Sequence, residues 1–473
     1  MKRRKFIKQS AGAAAVFSIV PSFVLGGNRH IPPSDTLYVG SIGVGGRGGG
    51  VVRELNATGR VKFVAFADVD DRRAKDTYEM LPNVPRYKDF RKLFDNHIKD
   101  IDAFSVGTPD HTHATIALPF MREKKHAYVE KPLTHNIAEA RLMARVAEEQ
   151  GIVTQMGNQG SSSDGIRQAQ EWIEAGLIGK VERVDCWTNR PVWPQGLRNI
   201  TEGEPIPEGL DWDLWLGPAE MRPYNSAYLP FKWRGWWDFG TGGLGDMGCH
   251  IMETPFRTLK LKYPYEAEAS CTTVWAGDFV EANYAEACPP SSIVRLKYES
   301  PTQGKVDLNW YDGGIMPDIP DEVKDGEMIG DWSGGSVFHG TEGIMVTDTY
   351  SRNPRLFPSE KMESANLPSP TLPRIKDQNH QLNWVEGVLD GKVTSSPFSY
   401  AGPLTEAVLM GNLAIKSFQY KVVQDGKKEG DWGAFDYPGR RKLMWDGPNM
   451  KVTNYDKAND WVKGDYREGW KLS

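Results

Sequence analysis

At 473 residues the chain is too long for one ordinary core and divides into at least two domains. With 39% hydrophobic and 25% charged residues, and no apolar run beyond the N-terminal segment long enough to span a bilayer, it reads as a globular protein without a membrane span. The formal charge is −5, and falls to −10 once the five cations of residues 1–26 are set aside, which argues against nucleic acid and anionic membrane surfaces as partners.

Residues 1–27 form a three-part export signal: a basic start, an apolar stretch from Ala11 to Leu25, then Gly26 and Gly27. Within it, Arg3-Arg4-Lys5-Phe6-Ile7-Lys8 resembles the twin-arginine motif of proteins exported after folding; an ordinary secretory signal with two arginines is the plainer alternative. The expected location is the periplasm, reached by the twin-arginine route. A protein that takes up its cofactor in the cytoplasm and carries it out must fold first.

From residue 35 to 157 short apolar runs alternate with helical stretches, the pattern of a parallel sheet with crossover helices. The predicted strands are Leu37–Val44, Val61–Phe66, Ile101–Val106, Ala127–Val129 and Ile152–Met156, with the clearest helix over Asn136–Gln150. Gly43-Val44-Gly45-Gly46-Arg47-Gly48 matches G-x-G-x-x-G between a strand and a helix (Val51–Asn56), and Asp68 ends the next strand. Such glycines let the backbone approach a pyrophosphate, and the carboxylate accepts from ribose hydroxyls while repelling a 2′-phosphate. NAD is therefore expected over NADP, with Arg47 partly offsetting that preference.

Thr108-Pro109-Asp110-His111-Thr112-His113 and Glu130-Lys131-Pro132 follow the next two strands, at the sheet edge where open α/β folds place ligands. By themselves they read equally as a helix-capping turn and a solvated ion pair. The His-x-His pair has no third ligand nearby, and the four cysteines, Cys186, Cys249, Cys271 and Cys288, show no C-x-x-C spacing. Neither a metal site nor a disulfide framework is expected; one bridge would fit an oxidising compartment.

Residues 158–420 carry short β-rich runs at Val181–Trp187, Ala267–Trp275, Ile293–Tyr298, Lys305–Trp310 and Ile344–Thr347, and residues 190–230 read as a long loop. Asp246 and His250, four apart in GGLGDMGCH, share one face of a predicted helix that Pro255 should kink or end. Imidazole suits removal of a hydroxyl proton; an N-capping Asp followed by a core histidine is the alternative. Trp233 and Arg234, in FKWRGWWDF, suit a sugar, whose C–H faces bury on indole, or else a hydrophobic lid or subunit contact. Residues 421–473 read as an extension without a catalytic motif.

In this order IGVGGRG, FADVD, TPDHTH, YVEKPLT and GGLGDMGCH resemble the Gfo/Idh/MocA oxidoreductase family over about residues 36–415. The resemblance implies an N-terminal Rossmann domain and a C-terminal α+β domain with a large open, mainly antiparallel sheet. It places Gly46 and Arg47 at the pyrophosphate, Asp68 at the adenosine ribose, Thr108, Pro109, His111 and His113 along the cofactor's middle, and Glu130 at the nicotinamide ribose. Asn158 would close the nicotinamide side, with Lys131, Asp246 and His250 around the reacting hydroxyl. Implied partners are a sugar, cyclitol or glycoside and further copies of the chain.

Three functions follow. One is a plain NAD-dependent oxidoreductase. A second is a redox-neutral glycosidase, in which transient oxidation acidifies a C–H, the glycosidic group is eliminated, water adds and the hydride returns; export favours it, because soluble NAD is scarce outside the cytoplasm. The third is a carbohydrate-binding protein without catalysis, which the set Lys131, Asp246 and His250 disfavours.

Overall fold

The computed structural model describes residues 35–472 apart from Asn283, so the export signal read at residues 1–27 lies outside the described residues. The first sheet comprises β1 (Leu37–Ile42), β2 (Val61–Ala67), β3 (Arg86–Tyr87), β4 (Ala103–Val106), β5 (His126–Val129) and β6 (Thr154–Met156), all parallel in the order β3-β2-β1-β4-β5-β6. This is the doubly wound order that leaves a crevice beyond the carboxyl ends of β1 and β4. The first strand stops at Ile42 rather than Val44, because Gly43 turns the chain at φ +71°. Helix Ile137–Gln150 starts one residue later than expected, with Asn136 as its cap: Asn136 and Glu139 form a reciprocal capping box, and Gly151 ends the helix in the left-handed region.

The second sheet is built from β7 (Val181–Thr188), β8 (Glu266–Cys271) and, after a small hairpin of β9 (Trp275–Gly277) and β10 (Val280–Glu281), β11 (Ser292–Ser300) and β12 (Gly304–Tyr311). It continues with β13 (Gly334–Gly340), β14 (Gly343–Asp348) and β15 (Arg355–Phe357). Beyond the two-stranded β16 (Val422–Val423) and β17 (Phe435–Asp436), β18 (Leu443–Asp446) and β19 (Lys451–Val452) complete nine strands in the order β15-β14-β13-β7-β12-β11-β8-β18-β19. Only β7 and β12 run parallel, so the sheet is large and mainly antiparallel.

Helix Phe398–Gln419 ties the halves together: most of its residues are buried, Glu406 and Asn412 among them, as a helix enclosed between two domains requires. It packs against β8, helix Ile137–Gln150 and helix Gly242–Ile251. The last crossing depends on two glycines. A methyl group added at Gly411 would stand 2.5 Å from Leu244, and one at Gly248 would stand 2.9 Å from Val408. At the crossing with helix Ile137–Gln150, Arg141 holds Glu406 through two 2.7 Å hydrogen bonds. The chain also returns to the first sheet, where Trp384 and Val385 share a core with Leu37, Val39 and Val51.

Candidate active site

A cleft of about 550 Å³ runs along the carboxyl ends of the first sheet and is walled on its other side by residues of the second domain. At one end lies the glycine loop. Helix Gly46–Ala57 has no side-chain cap and no acid in its first turn, and Gly45, Gly46 and Arg47 line the cleft. Free N–H groups at a helix start make an anion site, and this one fits a dinucleotide pyrophosphate. A Cβ at Gly48 would lie 1.8 Å from the Gly43 carbonyl, which fixes why the helix sits so close to the strand.

Asp68 holds the loop in shape. Its Oδ2 accepts from the N–H groups of Val44 (2.8 Å) and Gly45 (3.0 Å), and its Oδ1 accepts from that of Asp70 (2.9 Å). Burial pushes its pKa up to about 6 against these bonds. A carboxylate has about four acceptor positions, so it retains capacity for a ribose hydroxyl on the cleft.

Arg47 lines the cleft at the loop, but its guanidinium is turned to acidic partners. Its Nε donates to Glu130 Oε1 at 3.0 Å, and its other nitrogens donate to both oxygens of Glu54 at 3.1 Å. The free cation beside the loop is Arg73: its Nη2 lies 3.1 Å from where a Gly46 methyl would stand, and it has no side-chain partner among the described residues. Glu130 lines the cleft, buried, with Arg47 as its counter-charge.

Thr108 and Pro109 line the cleft, but His111 and His113 stand behind it, a correction to their expected cofactor role. The segment enters a tight turn at Asp110–Thr112 that runs into helix His113–Arg122, and this swings both rings into the core. His111 packs on Trp215 and Phe239, and burial lowers its pKa to about 3. His113 sits between the carbonyls of Pro132 and Thr108, each at 2.9 Å, and so staples the two motif loops together. Asn158 also leaves the cleft: fully buried, it donates to Glu253 at 2.8 Å instead of closing a nicotinamide site.

The other end of the cleft is built on helix Gly242–Ile251, which places Asp246 and His250 one turn apart on the cleft side. The helix ends at Ile251, ahead of Pro255, which occupies the first turn of the next helix, Glu253–Thr258. Proline cannot donate to the Ile251 carbonyl, and the Ser336 hydroxyl serves it at 3.2 Å.

Lys131, brought in from the first domain, donates to Asp246 Oδ1 at 2.8 Å and to its carbonyl at 2.6 Å. Arg234 Nε donates to the same carboxylate oxygen at 3.1 Å, and Arg190 Nε stands 4.0 Å from the other. Burial alone would raise the Asp246 pKa, but the charges of Lys131 and Arg234 hold it well below the usual carboxylate range. Arg234 is stacked between Phe231 and Trp233, with its guanidinium carbon 4.2 and 4.3 Å from their ring centres.

His250 makes no hydrogen bond to the described residues, and its Nδ1 is buried without a partner. Asp246 forms no hydrogen bond to the imidazole; Tyr350 packs on it by an edge contact at 5.1 Å. Burial, and then the Lys131 charge, holds the His250 pKa well below 6.5, so the ring is neutral.

Several cleft residues lacked any signal in the sequence, among them Arg190, Tyr350, Arg73 and Trp470. Arg190 lies just past the end of β7, Tyr350 just past β14, and Arg73 on helix Asp71–Met80; none belongs to a motif. Trp470 comes from the C-terminal segment and lines the cleft near Phe90, with Arg91 over its ring at 4.7 Å. Arg467 pins that segment to the Gly217 and Pro218 carbonyls at 3.0 Å each.

A doubly wound sheet with an open helix N-terminus, joined to a nine-stranded sheet that closes one cleft, defines a two-domain dinucleotide-binding protein. Residues 37–158 match the GFO_IDH_MocA model, described as "Oxidoreductase family, NAD-binding Rossmann fold", and residues 166–264 match the same family's "C-terminal alpha/beta domain". These two matched stretches together cover just under half of the chain, and the first of them is matched as an NAD-binding domain. The chain is 27% identical over 176 residues to myo-inositol 2-dehydrogenase of Thermotoga maritima, covering 37% of this chain and 48% of that protein. To a glycosyl hydrolase family 109 protein of Shewanella pealeana it is 31% identical over 125 residues, 25% of this chain and 27% of the other. The chain thus spans half or less of these curated relatives. Among solved structures, the WlbA dehydrogenase of Bordetella pertussis, in complex with NADH and UDP-GlcNAcA, shares the fold at TM-score 0.55 and 12% identity, over 80% of this chain and 97% of that one.

Proposed function

We propose that the protein is an NAD-dependent oxidoreductase acting on a hydroxyl of a sugar, cyclitol or glycoside. The observation that carries this reading is the convergence of Lys131, Asp246 and His250, from two domains, at the far end of the cleft that begins at the open helix N-terminus. The backbone of Gly45–Arg47, with Asp68, Thr108, Glu130 and Arg73, would hold the dinucleotide. When bound, its nicotinamide ring supplies the hydride acceptor or donor.

The remaining chemistry falls to this chain's side chains. His250, neutral and without a protein partner, accepts the hydroxyl proton. Lys131 donates to the substrate oxygen and steadies charge developing there, while Asp246 fixes the ammonium in place. Trp233 and the stacked Arg234 cover one side and keep water from the reacting carbon.

Denaturing the purified protein and identifying the released nucleotide tests the first step: NAD(H) is expected, and a preponderance of NADP(H) would contradict the role given to Asp68. That role also has a pH signature. Above its pKa of about 6 the Asp68 carboxylate accepts from the loop; below it, the protonated group loses acceptor capacity. Nucleotide affinity should fall as pH drops through about 6, and Asp68→Asn should abolish the dependence. A titration curve flat for the parent protein over that range would count against it.

The redox-neutral glycosidase is the second reading, supported by the family 109 relative and by the export motif. We also propose export by the twin-arginine route and self-association, the latter supported by the exposed Met316, Ile319, Met328 and Trp332 on one connection. Undiminished export of an Arg3→Lys, Arg4→Lys variant would contradict that route, and a monomer in sedimentation would contradict the second.

A further inference from the structure

The charges at the catalytic end of the cleft do not balance. Three cations, Lys131, Arg190 and Arg234, converge on the single carboxylate of Asp246. The other acids nearby do not close the gap: Glu130 is paired with Arg47, and Asp110, which feels the Arg234 and Lys131 charges but is raised in pKa by burial, accepts from Thr241 at 2.7 Å and bonds none of the three cations, leaving three cations against two carboxylates. A surplus cation in a partly buried cleft is unfavourable unless a ligand of opposite charge completes it.

The two arginines are also prepared for such a ligand. Arg234 is clamped between Phe231 and Trp233. Arg190 lies over Trp332 at 5.8 Å, and its Nη1 is anchored by Asn189 and Ser333. In both, Nη2 has no partner among the described residues while the side chain lines the cleft. A planar guanidinium with one edge fixed and another edge free is the arrangement that receives a carboxylate.

We propose that the substrate bears a carboxylate held by Arg190 and Arg234, which makes it an acidic sugar or acidic cyclitol rather than a neutral one. This rests on the oxidoreductase reading for the hydroxyl that reacts, but the anion subsite stands on its own geometry.

The test is calorimetric, on the NAD-loaded protein. D-glucuronate, D-galacturonate and D-mannuronate are titrated against their neutral uronamides, with D-glucose 6-phosphate as a further probe. At least one acid is expected to bind about tenfold or more tighter than its amide, in line with a charged hydrogen-bond pair. That advantage should shrink with added salt, vanish in Arg190→Gln and survive in part in Arg190→Lys. The proposal is overturned if no acid outbinds its amide, if Arg190→Gln keeps the full preference, or if the sugar phosphate binds tightest. Failure of the oxidoreductase reading appears separately, as an NAD-loaded protein that prefers the acid yet shows no change in reduced-nicotinamide absorbance with it.

Discussion

Lys131→Met is expected to cost about 10²- to 10⁴-fold in turnover, the range of a positioned proton-handling group, while the protein stays folded and keeps its nucleotide. The ammonium bridges the domains: it comes from the loop after β5 and reaches the side chain and the carbonyl of Asp246. Methionine preserves the stem. Asp246 would keep Arg234 at 3.1 Å, so the carboxylate is not stranded, and the stability loss should stay near 1–3 kcal/mol, the cost of one unmet buried group. Thermal unfolding separates this outcome from collapse. Near-parental turnover in the folded variant would remove Lys131 from the chemistry.

His250→Ala is expected to lose a similar factor, about 10²- to 10⁴-fold, for a different reason. The ring makes no hydrogen bond to the described residues, so its loss breaks no hydrogen-bond network among them; what disappears is the proton acceptor. The pH dependence sharpens this. Because burial and Lys131 hold the His250 pKa well below 6.5, the neutral ring persists as pH falls through that value. The rate should therefore show no histidine inflection near 6.5. An inflection there that vanishes in His250→Ala would mean the ring titrates as an exposed one and that the burial argument fails.

How much of this was legible in the sequence depended on whether a feature was local. The glycine turn, the helix ending at Gln150 and the Asp246/His250 spacing are set by a few neighbouring residues, and each takes the predicted form. The two-residue β3 and the glycine-rich β13 gave no periodic signal, because their partners, β2 for the one and β7 and β14 for the other, supply the reason they are strands. Motif membership also failed to fix side-chain direction. His111 and His113 sit in the expected segment, but the turn at Asp110 aims both rings inward. Arg47 sits in the expected loop, yet Glu54 and Glu130 capture it, and Arg73 takes the open position. Arg190 and Trp470 reach the cleft only through the tertiary fold, from the end of a central strand and from the C-terminal segment.

The most direct measurement is a single turnover of the protein as purified, with its own nucleotide and none added, mixed with hexuronates, inositols and glycosides while the reduced-nicotinamide absorbance is followed. One of these is expected to change the absorbance, lastingly for a plain oxidoreductase or transiently with cleavage of a glycoside for the redox-neutral reading, and Lys131→Met and His250→Ala are expected to abolish the change. An identical trace from either variant, or no change with any of the compounds, would contradict the proposed function.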